Sequence, residues 1–340
     1  MIGDVTPKQR IAVLGGGAWG TALAQTMLRA GHEVAFWMRD GDAARAINET
    51  HANPAYLPGL PLDGELGATT DIAEALAGAH CVLVVVPAQA LRGLLQEIAS
   101  VVPTGAPIVI CAKGIEKETG KRLSEIVRER LPDNPPAALS GPSFAADVAA
   151  GLPTAVTVAA DDESLAAELA RLLSAPHFRC YSTTDLTGVE VGGALKNVLA
   201  IGAGAASGAR LGASAQAALI TRGFVEMRRI AAALGAQPET LLGLSGLGDL
   251  MLTCGSGQSR NFAYGQALGR GDRLDNLKLA EGVATAGIAT RIAGERGIDA
   301  PITSAIDRIL AGELGIREAV DELFARPLKS ENDQDPGRGS

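Results

Sequence analysis

The chain has few of the residues that metal sites, redox sites and disulfide frameworks require. Its four cysteines, Cys81, Cys111, Cys180 and Cys254, have no metal-ligand spacing and form no CxxC pair. The four histidines are scattered and form no cluster with acidic residues, so we predict no metal. A formal net charge of −8 argues against a general nucleic-acid binder, although a few focused cations could still bind an anionic small substrate.

Long apolar runs that could anchor the chain in a membrane are also missing. The first apolar stretch meets a glycine triplet at residues 15–17, which excludes a secretory signal core. The uncharged run over residues 75–91 is interrupted by His80 and Pro87 and is too short for a membrane span. We therefore expect a cytoplasmic protein without membrane insertion.

The composition is otherwise that of an ordinary globular protein. Apolar residues make up 47% and charged residues 20% of the 340 residues, a length that suits two domains with a core each. Aromatic residues are rare, at 3%, whereas the 42 glycines let helices approach one another and let the backbone approach ligands.

Short apolar runs alternate with helical patterns in the first half of the chain. The strands are predicted at residues 10–15, 33–38, 81–86, 108–112, 137–140, 154–159 and 178–182. The run over residues 81–86 is so apolar that both its faces must be buried, as in a parallel sheet. This alternation predicts a doubly wound α/β domain over residues 10–184.

After residue 184 only helical patterns remain. They cover residues 189–206, 213–234, 260–268, 286–295, 304–311 and 316–323. We therefore predict an all-α second domain over residues 185–326. The tail over residues 327–340 is too polar to fold, and we expect it to be disordered.

The sequence GGGAWG at residues 15–20 is a G-x-G-x-x-G motif between a predicted strand and a predicted helix. Gly15 makes the turn, Gly17 lets a pyrophosphate approach the backbone, and Gly20 lets the helix pack on the strand. The helix N-terminus adds amide donors for phosphates. Trp19 either packs over the dinucleotide or holds the helix against the sheet.

Arg39 and Asp40 end the second predicted strand, where dinucleotide-binding domains contact the adenosine ribose. An acidic residue there binds the ribose 2′-hydroxyl and favours NAD, whereas an arginine accepts the 2′-phosphate of NADP. The adjacent pair leaves the preference open, and Arg39 favours the use of NADP over the alternative of a solvated surface arginine.

Two loops follow neighbouring predicted strands at the edge where open α/β sheets bind ligands. Lys113 follows the strand at residues 108–112, and the sequence SGPSFA at residues 140–145 follows the next strand. Glycine and proline at a helix start leave backbone amides free to bind an anion or a polar oxygen. We expect the two loops to line one crevice.

Lys196 lies in GGALKNVLA, a run of small and apolar residues at 192–200. On a helix none of the neighbours three or four positions away is a carboxylate that could pair with its ammonium. The lysine either extends to the rim of the helix or serves in chemistry, since partial desolvation lowers its pKa and makes it a proton donor.

Two charged residues of the helical half are candidates for the same site. Asp249 lies in the apolar run LSGLGDL, where a buried carboxylate needs a partner such as Lys196, although it could also cap the following turn. Arg260 opens a helix after a Gly-Ser-rich loop, so its guanidinium and the helix dipole favour an oxyanion or phosphate. The alternative for Arg260 is an ordinary exposed arginine.

At these residues the chain resembles the bacterial NAD(P)-dependent glycerol-3-phosphate dehydrogenases. The matching blocks include GGGAWGTALA, LVVVPAQA, CAKGIEKETG, SGPSFAADVAAGLPTAV, GVEVGGALKNVLAIGAG, LSGLGDLMLTC and QSRN, in that family's order. They span residues 10 to about 326. The resemblance implies a Rossmann-type doubly wound parallel sheet followed by a helical domain like the C-terminal domain of 6-phosphogluconate dehydrogenase.

The resemblance also implies an activity and a set of site residues. The enzyme would reduce dihydroxyacetone phosphate to sn-glycerol 3-phosphate with NADP(H) or NAD(H), for phospholipid synthesis, and Lys196 would transfer the proton with Lys113 and Asp249 beside it. The implied substrate residues are Lys113, Gly141, Ser143, Lys196, Asp249, Ser259, Arg260 and Asn261. The implied cofactor residues are Gly15, Gly17, Ala18, Trp19, Gly20, Arg39, Lys113, Ala145, Arg260, Leu279 and Glu281.

Departures from that family and rival interpretations remain. Ala18 stands where similar proteins often carry Ser or Asn, and His51 stands where an arginine is common. A dehydrogenase acting on a carboxylate substrate would also suit Lys196 and Asp249. A non-catalytic dinucleotide sensor would need no proton donor. The oligomeric state, with a homodimer as one option, and the choice between NADP and NAD are left open by the sequence.

Overall fold

Eight strands form one sheet in the part of the chain that the computed structural model describes, residues 7–275, 277 and 280–328. The strands are β1 (Arg10–Leu14), β2 (Glu33–Trp37), β3 (Ala68–Thr69), β4 (Cys81–Val84), β5 (Ile108–Ile110), β6 (Pro136–Ser140), β7 (Thr154–Ala160) and β8 (Phe178–Thr183). Their order is β3-β2-β1-β4-β5-β6-β7-β8. The strands β1 to β6 are parallel, and this part of the sheet has the predicted doubly wound topology.

The last two strands add one antiparallel pairing to the predicted doubly wound parallel sheet. β7 runs antiparallel to β6, and β8 runs parallel to β7. A parallel crossover needs about a dozen residues or more, usually with a helix that returns the chain along the strand. The connection from β6 to β7 contains only a five-residue helix, which at about 1.5 Å per residue is too short to return the chain along a five-residue strand, so β7 runs in the opposite direction.

Helices cover both faces of the sheet. They are α1 (Ala18–Arg29), α2 (Gly41–Thr50), α3 (Ile72–Leu76), α4 (Leu91–Ile98), α5 (Leu123–Arg130), α6 (Ala145–Ala149) and α7 (Glu163–Leu172). Along β1, Ile11 and Val13 belong to one core cluster, whereas Ala12 and Leu14 belong to the cluster on the opposite face. Both faces of the strand are therefore buried, as its unbroken apolar sequence requires.

The remainder of the described chain is helical. Its helices are α8 (Leu186–Gly208), α9 (Ala213–Ala233), α10 (Pro238–Leu242), α11 (Asp249–Cys254), α12 (Arg260–Arg270), α13 (Glu281–Glu295), α14 (Pro301–Leu310) and α15 (Ile316–Phe324). A π-helical turn, Leu244–Gly248, leads directly into α11. Within the described ranges, no helix is both long and apolar enough to cross a bilayer.

Helix α8 is buried along most of its length and forms the centre of the helical half. Its backbone meets that of α12 closely, because both helices carry glycine at the contact. A Cβ added to Gly204 would lie 2.1 Å from the carbonyl oxygen of Phe262, and one added to Gly265 would lie 2.1 Å from that of Ile201. This close packing brings the N-terminus of α12 next to α8.

Candidate active site

The glycine loop between β1 and α1 forms an open cradle. Gly15 has a φ of +133°, and a Cβ there would lie 2.5 Å from the carbonyl oxygen of Val85. At Gly20 an added Cβ would lie 1.7 Å from the oxygen of Gly15. Gly17 is the N-cap of α1, and no atom of the described residues lies within 4 Å of the position its Cβ would take. The N-terminus of α1 thus has space beside Gly17, and the amides of a first helical turn suit a dinucleotide pyrophosphate.

The side chains beside this loop differ in whether they are already hydrogen-bonded within the protein. Trp19 packs partly on the core, and its Nε1 is buried without a hydrogen-bond partner in the described part of the chain. Ala18 is the first residue of α1. Asp40 caps α2, since its Oδ1 accepts from the backbone nitrogens of residues 42 and 43 at 3.0 and 3.1 Å. Arg39 is exposed two residues after the end of β2.

Lys196 lies at the centre of a buried polar cluster. Its Nζ donates to Oδ1 of Asp249 at 2.6 Å and to Oγ1 of Thr253 at 2.7 Å. Lys113 donates from its Nζ to the other carboxylate oxygen of Asp249 at 2.6 Å. The relative exposure is only 5% for Lys196 and 1% for Asp249. One buried carboxylate therefore holds two ammonium groups, and Asp249 does not cap α11.

Burial and charge shift the two central pKa values in useful directions. Desolvation and, to a lesser extent, the charge of Lys113 lower the pKa of Lys196 to about 8, against the opposing attraction of Asp249. For Asp249, desolvation raises the pKa, but the two lysines outweigh it and hold the pKa below its usual value. The cluster thus keeps an ionised carboxylate beside a lysine that can exchange a proton near neutral pH.

Strand ends of the sheet supply the other wall of the cluster. Lys113 follows β5, and its Nζ also donates to the carbonyl oxygen of Gly141, after β6, at 3.0 Å. Gly141 has a φ of +149°, and a Cβ there would lie 2.9 Å from the Cα of Val156, so only glycine fits. Ser143 donates to the same carbonyl at 3.0 Å, and Ala145 begins α6.

The N-terminus of α12 contains an exposed arginine and two buried side chains that are hydrogen-bonded within the protein. The buried Ser259 caps α12 by accepting from the backbone of Phe262 at 3.2 Å. Asn261 is also buried; it donates to Oδ1 of Asn197 at 2.9 Å and accepts from the amide of residue 282 at 2.9 Å. Arg260, in contrast, is exposed as the first residue of the helix.

Glu281, at the start of α13, is close enough to Arg260, Lys113 and Lys196 to interact with their charges. Its Oε1 accepts from the backbone nitrogen of Ala88 at 3.4 Å, which links α13 to the loop that follows β4. Desolvation raises its pKa, and the charges of Arg260, Lys113 and Lys196 act in the opposite direction. Leu279, which the resemblance assigns to the cofactor, lies outside the described residues, as do residues 329–340 of the predicted tail.

Two members of the cluster were not found from the sequence. Thr253 is one helical turn beyond Asp249, so the i, i+4 rule could have placed the two on one face. Asn197 adjoins Lys196 and donates to the backbone oxygen of Lys113 at 3.2 Å, a contact between distant segments that spacing does not reveal. His51 is the exposed C-cap of α2, with a φ of 50°.

No group of three or more His, Cys, Asp or Glu side chains in the described ranges is placed to hold a metal ion. The arrangement is therefore that of an open dinucleotide cradle, an exposed arginine at a helix N-terminus and a buried lysine held by a carboxylate. Lys113, Gly141, Ser143, Lys196 and Asp249 are brought together at the carboxyl edge of the sheet.

The chain matches known proteins over nearly its whole length. Residues 10–166 match the family model described as NAD-dependent glycerol-3-phosphate dehydrogenase N-terminus, and residues 185–321 match the model for the C-terminus. The chain is 64% identical over 321 residues to the glycerol-3-phosphate dehydrogenase (NAD(P)+) of Chelativorans sp., which covers 94% of this chain and 98% of that relative.

Two further comparisons agree. The enzyme of the same name from Mesorhizobium japonicum is 64% identical over 322 residues, which are 95% of this chain and 94% of the relative. The crystal structure of glycerol-3-phosphate dehydrogenase from Coxiella burnetii superposes with a TM-score of 0.88 at 38% identity, over 94% of this chain and 99% of that one. The chain belongs to the NAD-dependent glycerol-3-phosphate dehydrogenase family.

Proposed function

We propose that this protein reduces dihydroxyacetone phosphate to sn-glycerol 3-phosphate with NAD(P)H, reversibly, and that the product supplies phospholipid synthesis. The observation that carries the proposal is the buried ammonium of Lys196, whose Nζ lies 2.6 Å from Oδ1 of Asp249. The chain belongs to a family of NAD-dependent dehydrogenases, in which such a group can serve as the proton donor. The glycine loop would hold the dinucleotide, which supplies the hydride when bound.

Lys196 is the proton donor in this reaction. As the ketone oxygen gains negative charge, the ammonium of Lys196 stabilises that charge and then transfers its proton to the oxygen. Asp249 and Thr253 accept two of the three N–H bonds of Lys196, at 2.6 and 2.7 Å, so the third is fixed in direction. A pKa of about 8 lets the lysine regain a proton after each turnover.

Lys113 and Arg260 provide positive charge for the substrate. Lys113 shares Asp249 with Lys196, so this part of the site carries two cations and one anion. Arg260 is exposed at the start of α12, where the guanidinium and the helix dipole both favour a phosphate dianion. Binding energy from the phosphate then orients the ketone toward Lys196.

The proposal extends to the cofactor and to the compartment. Because Asp40 is used as the cap of α2 and Arg39 is open, the site favours the 2′-phosphate of NADP. We place the reaction in the cytoplasm, where charged metabolites such as a sugar phosphate and a dinucleotide are retained.

A substrate comparison tests the proposed reaction. Oxidation of NADPH and of NADH is followed with dihydroxyacetone phosphate and, separately, with a series of 2-oxo acids. Rapid turnover of the phosphorylated ketone alone is the expected result. Preferred turnover of a 2-oxo acid would establish the rival assignment, a dehydrogenase of carboxylate substrates on the same scaffold.

A further inference from the structure

A second buried carboxylate, Glu190, lies on α8 and takes no part in the chemistry described above. Its side chain crosses from the helical half to the sheet half and meets the first turn of α5. Oε1 accepts from the backbone nitrogen of Ser124 at 2.8 Å, and Oε2 accepts from the hydroxyl of Ser124 at 2.5 Å. Nη1 of Arg122 lies 3.7 Å from Oε2 of Glu190. Glu190 thus caps α5 from another helix, where the helix dipole favours an anion.

The segment that ends at this cap is the one that carries Lys113. It leaves the sheet at β5, passes through Lys113 and enters α5 at Leu123. Helix α8 contacts this segment near both of its ends. Glu190 binds Ser124 in the first turn of α5, just beyond the end of the segment, and Asn197 donates to the backbone oxygen of Lys113 at 3.2 Å. Lys196 is on the same helix, so α8 carries one catalytic lysine and fixes the segment of the other.

We propose that Glu190 is a positioning residue that sets the placement of Lys113 relative to Lys196, so that both lysines reach Asp249. The proposal rests on the proposed function for its kinetic consequences and on the geometry alone for its structural ones. Loss of the Glu190 carboxylate would release the start of α5. Lys113 would then move away from Asp249, while Lys196, on the buried helix α8, would remain.

A matched control exists in the helical half. Glu226 on α9 is likewise buried and likewise caps a helix from another helix, since it accepts from the amides of Ile302 and Thr303 at 2.8 and 2.9 Å and from the Thr303 hydroxyl at 2.9 Å. It joins α9 to α14 and does not touch the Lys113 segment. Glu226→Ala therefore removes the same kind of bond without the proposed consequence for the site.

The kinetic test compares Glu190→Ala with Glu226→Ala in single-turnover oxidation of NADPH by dihydroxyacetone phosphate. We expect Glu190→Ala to lower the rate by about tenfold or more, since displacements near 1 Å can cost about a hundredfold. Glu226→Ala should stay within about threefold of the wild type at a similar fall in Tm. Glu190→Gln keeps an acceptor for the Ser124 amide and should recover most of the rate.

The pH dependence of the rate distinguishes a misplaced Lys113 from a general loss of stability. The charge of Lys113 lowers the pKa of Lys196, so its departure from Asp249 raises that pKa. The fall in rate at high pH should therefore move to higher pH in Glu190→Ala and stay in place in Glu226→Ala. Equal rate losses in the two variants, or an unshifted profile in Glu190→Ala, would overturn the proposal. If Glu190→Ala does not fold, Ser124→Ala serves in its place, because it removes the hydroxyl bond to Glu190 and keeps the backbone one.

A crystal structure of each variant separates this inference from the proposed function. In Glu190→Ala we expect Nζ of Lys113 to lie beyond hydrogen-bonding distance of Asp249. In the unsubstituted protein the distance from Nζ of Lys113 to Oδ2 of Asp249 is 2.6 Å. An unchanged contact contradicts the inference whatever the enzyme reduces. If the wild type does not turn over dihydroxyacetone phosphate, the proposed function fails, and this distance still decides the role of Glu190.

Discussion

At the scale of single residues, the site is governed by one carboxylate that two ammonium groups share. Asp249 binds Lys113 and Lys196 through separate oxygens, each at 2.6 Å, so neither lysine is fully neutralised. Buried charges are tolerated when they are paired and hydrogen-bonded, and a net positive cluster is an attractive place for an anionic substrate. Arg39 and Arg260 are exposed and lie outside this cluster, so substitutions there can test cofactor and substrate binding without disturbing it.

Arg39 should determine the preference for the cofactor. Arg39→Asp removes the cation available to a 2′-phosphate and adds an acceptor for a ribose hydroxyl, so the ratio of kcat/KM for NADPH to that for NADH should fall. Arg45→Asp, an exposed change on α2, should leave the ratio unchanged. An unmoved ratio in Arg39→Asp would show that Arg39 is only a surface residue.

Arg260 should serve the substrate phosphate. Arg260→Lys keeps the charge but loses the bidentate fork, and should cost about 1–3 kcal/mol, mostly in apparent substrate binding. The wild type should strongly prefer dihydroxyacetone phosphate to dihydroxyacetone, and Arg260→Ala should narrow that gap. Arg270→Ala, at the other end of α12, is the control. Equal losses on both ketones in Arg260→Ala would assign the residue to the cofactor or to the fold.

At the scale of elements, glycines allow the contact between α8 and α12 that places Arg260. Gly265→Ala should destabilise the protein by about 1–3 kcal/mol, because its Cβ has no room beside the Ile201 carbonyl. Gly294→Ala, on α13 with nothing within 4 Å of its Cβ, should be neutral or stabilising by up to about 1 kcal/mol. Denaturant unfolding measures both, and equal effects at the two sites would refute the packing argument.

The elements that the sequence predicted are those with long, strong patterns. β4 and α8 stand out because small and apolar residues make up nearly all of their sequence, whereas β3 has two residues and α10 has five, too few for a pattern. The start of α13 was predicted too late, at residue 286 instead of Glu281. Gly282 suggests a helix break in the sequence, yet it lies inside α13. Glycine is needed there because a Cβ would come 2.5 Å from the carbonyl oxygen of Asn197 on α8.

At the scale of the whole molecule, the site is assembled from both halves of the chain. Lys113 and Asp249 are 136 residues apart, and a strand end and a short helix bring them together. Motifs identified the candidate residues, since each lies in a distinctive local context. Spacing could not show that Lys113 shares the carboxylate with Lys196, because that pairing depends on how the helical half packs on the sheet.

The pH dependence of the reaction should reflect this buried centre. Reduction needs Lys196 as ammonium, so its rate should be high below the pKa of about 8 and fall as the pH rises through it. Oxidation of sn-glycerol 3-phosphate needs the neutral amine and should rise over the same range. Initial rates in both directions across this range check the sign, and parallel profiles in the two directions would exclude Lys196 as the proton-transfer group.

The most direct measurement of the central claim is the turnover of Lys196→Ala with dihydroxyacetone phosphate at saturating NADPH. General acid catalysis contributes about 10²–10⁴ in rate, so kcat should fall by about a hundredfold or more. The affinity for NADPH should hardly change, and Lys121→Ala, an exposed lysine paired with Glu129, should behave as the wild type. A kcat near that of the wild type in Lys196→Ala would contradict the account.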